Sequence, residues 1–308
     1  MQNIIDINLL KTLCSIHGPS GDEGLIRDFL LDYVSSHSSK WKVKPRVLSG
    51  EGWQNNIVLV FGEPRTAVFA HIDTIGFMVR YEDQLVPIGG PEIADGFRLS
   101  GSDRFGPVEC ELKVIDDHAK YKFGRPIQTG TTLTWTPDFR QFGDFVQSGY
   151  MDNRLGVYNA LKLAETLENG AIVFSTWEEH GGGAIPYIVK YLYEILNIKA
   201  ALISDITWVT DGVVSGDGVV ISLRDRNIPR KEFTDKIVRL AEKSRIPFQL
   251  EVEAGGSSDG REVQVSPYPI DWCFIGAPEE NVHSPHEKVH VDDILSMGEM
   301  YKFLMKNL

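Results

Sequence analysis

The second half of the chain alternates between short apolar runs and longer amphipathic segments, and this alternation constrains the fold more than any other feature. From Asp152 onward, the apolar runs predict strands at 171–177, 200–204, 248–252 and 271–275. The amphipathic segments predict helices at 184–196, at 230–243 and from Asp292 to the end. Strands that alternate with helices favour an α/β domain, here a mixed sheet with helices on both faces.

The first part of the chain extends the same domain. Leu9, Leu10, Leu13 and Cys14 lie on one face of a predicted N-terminal helix. A capping box from Ser20 to Glu23 predicts the start of a second helix. Strands are predicted at 56–61 and 67–70.

The segment between these two parts has a different pattern. Glycine, proline and short β-like runs replace helical periodicity from about Gly76 to Ser148. We therefore predict a small all-β domain at 75–149, inserted into a discontinuous α/β domain formed by 1–74 and 150–308.

Composition restricts the possible partners. The chain has 308 residues, of which 42% are hydrophobic and 24% charged, as is usual for a soluble globular protein. No apolar run approaches the roughly 18 residues of a membrane span, and the start of the chain does not resemble a secretory signal. A net charge of -12 without a basic cluster argues against nucleic acid and anionic membranes as partners. Three separated cysteines favour a reducing compartment, and we expect the cytoplasm.

Acids and histidines occur where predicted strands end. His71 and Asp73 follow one strand, Glu178 and Glu179 end another, and Asp205 follows a third. The remaining candidates are Asp152, at the start of a helix after the insert, and His283, in a loop after the last strand. Ligands of open α/β sheets bind beyond the carboxyl ends of the strands, so these residues predict one shared site.

The residue types at this predicted site favour a metal. Imidazole and carboxylate groups suit zinc, cobalt or manganese. Two histidines and three carboxylates are too many for one tetrahedral ion, and they suit two divalent ions that share a bridging carboxylate.

Six motifs resemble the glutamyl/tetrahedral aminopeptidase family of dinuclear metallopeptidases. They occur in the family order over nearly the whole chain, and they are Ala70–Phe77 (AHIDTIGF), Asp152–Gly156 (DNRLG), Glu178–Ala184 (EEHGGGA), Asp205–Thr207 (DIT), Gly256–Asp259 (GSSD) and His283–Glu287 (HSPHE). The fold implied by this resemblance is that of the dizinc aminopeptidases, with an inserted β domain of the dimerisation type.

The resemblance also implies a role for each site residue. His71 and Asp205 would hold one metal ion, Glu179 and His283 the other, and Asp152 would bridge both. Asp73 would orient the His71 ring. Glu178 would be the general base, taking a proton from the bridging water and delivering it to the departing amine.

The implied activity is hydrolysis of N-terminal residues from peptide substrates. Members of this family form dimers that assemble into a hollow tetrahedral dodecamer. This chain is shorter than the family pattern, so we expect a homo-oligomer and favour a dimer over the dodecamer.

Alternative functions remain open from the sequence. His286–His290 (HEKVH) matches the single-zinc motif His-Glu-x-x-His, which requires both histidines on one helical face. A related amidohydrolase or deacylase would use similar ligands, and a non-catalytic scaffold would share the fold. A glycosidase would leave the histidines and Asp205 without a role.

Overall fold

The computed structural model describes residues 5–308, which form seven α-helices and seventeen strands. The helices are α1 (Ile7–Ser15), α2 (Gly24–His37), α3 (Met151–Ala164), α4 (Ile185–Glu194), α5 (Lys231–Ser244), α6 (Asp259–Val265) and α7 (Val291–Asn307). The strands before α3 are β1 (Arg46–Leu48), β2 (Ile57–Phe61), β3 (Thr66–His71), β4 (Gly76–Val79), β5 (Leu85–Ile88), β6 (Arg98–Asp103), β7 (Gly106–Ile115), β8 (His118–Lys122), β9 (Thr132–Trp135), β10 (Arg140–Phe142) and β11 (Phe145–Gln147). The later strands are β12 (Gly170–Ser175), β13 (Ala200–Trp208), β14 (Val219–Arg224), β15 (Phe248–Val252), β16 (Asp271–Glu280) and β17 (Lys288–His290).

The larger sheet has eleven strands and is mixed. Its main path is β1-β2-β12-β3-β13-β16-β17-β11-β10, and β14 pairs with β16 and β15. The four strands β12, β3, β13 and β16 run parallel side by side at its centre, whereas β2 and β17 are antiparallel to their neighbours. The predicted mixed α/β sheet is therefore confirmed.

Helices cover both faces of this sheet. In β2, Ile57 and Leu59 point into one apolar cluster, which includes residues of α1, α2, α3, α5 and α7. Val58 and Val60 point into the opposite cluster, which α4 and α6 cover. This alternation follows from the two-residue period of a strand. None of the helices within 5–308 is long and apolar enough to cross a membrane.

The smaller sheet is antiparallel and lies between Gly76 and Trp135. Its six strands follow the order β5-β4-β9-β6-β7-β8 and enclose their own apolar core. The next two strands, β10 and β11, join the large sheet through β17. Sheet pairing thus separates the two parts of the chain after Trp135, and the domain division at 75–149 stays a prediction.

Several local predictions were wrong in detail. The strands predicted at 200–204 and 271–275 continue to Trp208 and Glu280, because β13 and β16 pair along their whole length. The capping box does not form, since the Ser20 hydroxyl donates to Asp73 Oδ2 at 2.6 Å instead of capping α2. The amphipathic N-terminal helix is confirmed for Ile7–Ser15, and residues 1–4 of that prediction lie outside the described residues.

Candidate metal centre and active site

The site lies at one edge of the large sheet because neighbouring parallel strands end there. His71 is the last residue of β3, and Ser175 opposite it ends β12, shortly before Glu178 and Glu179. The sequence predicted that Asp205 follows a strand, but it lies within the adjacent parallel strand β13. Parallel strands bring their carboxyl ends to the same edge, so the side chains converge.

The predicted metal ligands form two groups that share Asp152. In one group, His71 Nε2 lies 3.2 Å from Asp152 Oδ1 and 3.6 Å from Asp205 Oδ2. In the other group, His283 Nε2 lies 3.4 Å from Asp152 Oδ2 and 3.3 Å from Glu179 Oε2. Within each group the ligand atoms lie within 4.8 Å of one another. The two oxygens of Asp152 therefore face different groups.

Backbone carbonyls orient both imidazole rings. His71 Nδ1 donates to the carbonyl of Asp73 at 3.2 Å, and His283 Nδ1 donates to the carbonyl of Gly90 at 3.1 Å. Each bond leaves Nε2 facing the carboxylates, which is the usual arrangement of a metal-binding histidine. Gly90 follows β5, so the inserted sheet contributes directly to this site.

The carboxylate of Asp73 fixes the turn that carries Glu178 and Glu179. It accepts the backbone N–H groups of Glu178 and Glu179 at 3.1 and 3.2 Å and the hydroxyl of Ser20. A short 3-10 turn spans Glu178–His180, entered through Trp177 with a φ of 63°. This bend lets two adjacent residues line the same cavity, which an extended strand would not allow.

Buried carboxylates leave this cluster rich in negative charge. Burial, reinforced by the Asp152 carboxylate, raises the pKa of Glu179 to about 7 and that of Asp205 to about 6. Burial opposes the charging of His283, but hydrogen bonds to Asp152 and Glu179 outweigh it and raise the pKa of His283 to about 11. Such a set of groups is stabilised by bound cations.

The residues present fit divalent metal ions. Glu179 Oε1 is buried and has no hydrogen-bond partner among the described residues, although burying an unpaired carboxylate oxygen is costly. Imidazole nitrogens and carboxylate oxygens are ligands that zinc, cobalt and manganese accept. The donor set and the orphaned oxygen thus agree with a metal site.

Three residues of the motif around Asp152 hold the start of α3 in place. The amide of Asn153 donates to the Ser204 carbonyl at 2.9 Å and accepts from Gly156 N–H at 2.8 Å. The fully buried Arg154 donates to the carbonyls of Ile72 and Ile16. These bonds attach the start of α3 to β13 and to the residues that directly follow β3 and α1, and so they place the Asp152 carboxylate.

The histidine motif at His286–His290 does not form the helical site that a single zinc ion would need. Lys288–His290 is a strand, and the His290 ring accepts the Asp292 N–H at 3.2 Å at the start of α7. His286 contacts the edge of Phe97. Glu287, between them, is buried and accepts the backbone N–H groups of His283 and Asp152 at 3.0 and 3.3 Å. Glu287 therefore supports two residues of the cluster.

One cavity of about 500 Å³ contains the cluster and extends beyond it. Asp225, Glu251 and Glu253 also line this cavity, and sequence reasoning missed all three. Asp259 is another buried acid near the cluster; it accepts the Ser175 hydroxyl, and burial raises its pKa to about 7. Glu251 lies on the strand predicted at 248–252 and Glu253 follows it, and this alternation of acids was the available signal for two of these residues.

Fold and site together define a metal-dependent type of hydrolase centre, and the comparisons identify the chain as a peptidase hydrolase and define its family. The family model described as M42 glutamyl aminopeptidase matches residues 110–300, and the chain belongs to that family. This confirms the resemblance to the glutamyl/tetrahedral aminopeptidases that the motifs indicated.

Individual relatives agree over nearly the whole chain. A curated protein of Acetivibrio thermocellus named "Putative aminopeptidase" is 27% identical and aligns over 93% of this chain and 94% of its own length. The solved aminopeptidase APDkam598 of the archaeon Desulfurococcus kamchatkensis has a TM-score of 0.86 at 24% identity, covering 98% of this chain and 94% of that one. The TET1 peptidase of Pyrococcus horikoshii, which assembles into a tetrahedron or a large octahedral shell, has a TM-score of 0.82 at 20% identity, covering 97% and 98%.

Proposed function

We propose that this protein is an aminopeptidase that removes N-terminal residues from peptides with two divalent metal ions. The observation that carries the proposal is the position of Asp152, whose two carboxylate oxygens face two separate groups of ligand atoms. His71 and Asp205 would hold one ion, and Glu179 and His283 the other. Zinc suits this ligand set best, with cobalt or manganese as alternatives.

The metal ions, when bound, would lower the pKa of an attacking water and polarise the scissile carbonyl. The chain itself would position the ligands and transfer the proton. Gly90 and the Asp73 carbonyl fix the two rings, and the Asp73 carboxylate holds the turn of Glu178 and Glu179.

Glu178 is the proposed general base. It lines the cavity beside His71 and Glu179 without belonging to either ligand group. Burial raises its pKa well above the usual range, and the nearby carboxylates of Glu179 and Asp205 add to this effect. A carboxylate that readily accepts a proton suits a group that takes one from water and returns it to the departing amine.

The test removes and restores the metals. The protein is stripped with a chelator, reloaded with zinc, cobalt or manganese, and assayed on free and N-acetylated aminoacyl p-nitroanilides. We expect activity only with metal and only on free amines. Activity confined to the acetylated substrates would instead identify a deacylase and refute the proposal.

A paired experiment tests Glu178. Glu178→Gln should keep two metal ions per chain, measured by elemental analysis, and lose at least about 100-fold in kcat. As a control, Glu242→Gln removes one exposed acid from α5 and should change neither quantity. Undiminished turnover in Glu178→Gln would remove this residue as the base.

We also propose that the protein forms a homo-oligomer, a dimer or a higher assembly. The support is the likeness to a peptidase whose chains assemble into closed shells. Light scattering coupled to size-exclusion chromatography gives the mass in solution, and a mass of one chain at all concentrations would refute the proposal.

A further inference from the structure

The cavity that contains the metal ligands continues into a second acidic part. Asp225 follows β14, Glu251 lies on β15 and Glu253 follows it, and all three line the cavity. None of them belongs to either group of metal ligands. We call Asp225, Glu251 and Glu253 the acidic wall.

One carboxylate of the acidic wall lacks a partner. Asp225 is only 8% exposed; its Oδ1 accepts both the backbone and the side-chain N–H groups of Asn227, but its buried Oδ2 has no hydrogen-bond partner in the described chain. Glu251 is 3% exposed and accepts the Thr207 hydroxyl. A buried carboxylate oxygen without a partner is costly unless a donor arrives from outside the chain.

The acidic wall is not ion-paired within the described chain, although the nearby Arg224 charge favours the ionised form of Asp225. The residues that line the cavity include no lysine or arginine, and none of the three acids forms an ion pair within 5–308. Arg224 is adjacent, but its Nε donates to the backbone carbonyls of Asp225 and Glu253, at 2.9 and 3.1 Å, and not to their carboxylates. Burial raises the pKa of Glu251, and Glu253 and Asp225 add to that rise. A bound positive charge would relieve this repulsion.

The cavity also has an apolar side next to the acidic wall. Trp208 and Phe274 line it, and the Trp208 ring lies against Gly255 and Gly256. An apolar surface that leads to carboxylates fits a long alkyl chain ending in a cation, because the methylene groups pack while the charge is paired.

Resting on the proposed aminopeptidase function, we propose that the acidic wall binds the side chain of the substrate's N-terminal residue and selects lysine and arginine. The same carboxylates would repel an N-terminal glutamate, because its side chain is also negatively charged. Since Asp225 carries the unpartnered oxygen, it is the principal residue for this selectivity.

The experiment compares side chains of similar shape that differ in charge. The metal-loaded protein is assayed on the p-nitroanilides of lysine, norleucine and glutamate. We expect kcat/KM for lysine to exceed that for norleucine at least about tenfold, with glutamate below both. Equal or greater kcat/KM for norleucine or glutamate would overturn the proposal.

Asp225→Asn separates side-chain recognition from recognition of the substrate's α-ammonium group. Recognition of the side chain predicts that the lysine-to-norleucine ratio falls roughly tenfold. Recognition of the α-ammonium predicts an equal loss for both substrates and an unchanged ratio, which would overturn the proposal. Glu251→Gln, which retains an acceptor for Thr207, is the second variant, and Glu242→Gln on the exposed side of α5 is the charge-matched control.

Calorimetric titration measures side-chain selectivity as binding, and so it tests this inference separately from the proposed hydrolysis. The metal-loaded Glu178→Gln variant, in which turnover is expected to be lost, should bind lysinamide about tenfold more tightly than norleucinamide. Absence of hydrolysis with metals bound would refute the aminopeptidase proposal, while equal binding of the two amides would refute the selectivity alone.

Discussion

Gly156→Ala is expected to destabilise the protein, although alanine is the better helix former. Gly156 lies inside α3, where a change from glycine to alanine normally gains about 1 kcal/mol. Here an added Cβ would meet Asn153 Oδ1 and the Ser204 carbonyl oxygen well inside 3.0 Å, a separation that real Cβ atoms essentially never show. The Ser204 carbonyl belongs to the central strand β13 and cannot move away easily.

The expected loss of stability in Gly156→Ala follows from the contacts that the added Cβ would disturb. Overpacking of this kind costs about 1–3 kcal/mol. Turning the Asn153 side chain aside would lose its two buried hydrogen bonds, to Ser204 and from Gly156, each worth about 1 kcal/mol. Against the helix-propensity gain of about 1 kcal/mol, the net loss is about 2–4 kcal/mol.

Gly298→Ala is the matched control for this prediction. Gly298 lies inside α7, and its added Cβ would meet only Asn159 Oδ1, at 3.9 Å. This variant should gain up to about 1 kcal/mol. Urea unfolding followed by circular dichroism measures both variants under the same conditions. A Gly156→Ala protein as stable as wild type, or a loss of equal size in both variants, would refute the packing argument.

Three further predictions concern the cluster and its surroundings. His290→Ala removes the side-chain cap of α7 and should lose about 1 kcal/mol of stability while keeping the metal content. His286→Ala should keep both its stability and its metal content. Loss of metal in either variant, measured by elemental analysis, would support the single-zinc alternative. Gly89→Ala places a Cβ 2.7 Å from Ile75 Cγ2 and 3.2 Å from the Glu179 carbonyl, so it should weaken the metal affinity, measured by titration, about 10-fold or more. Gly106→Ala is the control, because its added Cβ meets open space and should leave the metal affinity unchanged. Equal metal affinities of the two variants would contradict the argument. Chelation should lower the thermal midpoint and reloading should restore it, and an unchanged midpoint would argue against a metal that binds the folded state.

Much of the fold was predictable because its signals are local. The apolar run of β12 and the amphipathic pattern of α5 each specify an element from adjacent residues, and alternation of the two kinds specifies an α/β sheet. The convergence of His71 and Glu179 was predictable for the same reason, since the parallel strands β3 and β12 end at one edge. Asp205 reaches the same cavity from within β13, which the sequence did not indicate.

Other features could not be predicted because distant residues compete with local ones. The local sequence favoured Ser20 as a helix cap, but the Asp73 carboxylate, 53 residues away in the chain, takes its hydroxyl. The extension of β13 past Ser204 depends on its pairing with β16, which no local pattern encodes. The acidic wall was missed because Asp225 and Glu251 face the cavity only when β14 and β15 pair beside β16.

The contact between Gly90 and His283 shows that the proposed metal centre belongs to both sheets. The ring of His283 is oriented by a carbonyl of the inserted sheet, and Glu92, also in that segment, donates its backbone N–H to the His283 carbonyl at 2.8 Å. His283 itself has a positive φ of 63°, a conformation that a non-glycine residue keeps only when its surroundings fix it. Its backbone is fixed from the insert by Glu92 and from the α/β domain by Glu287. A displacement of the insert would therefore move His283 while leaving His71 and Asp205 in place.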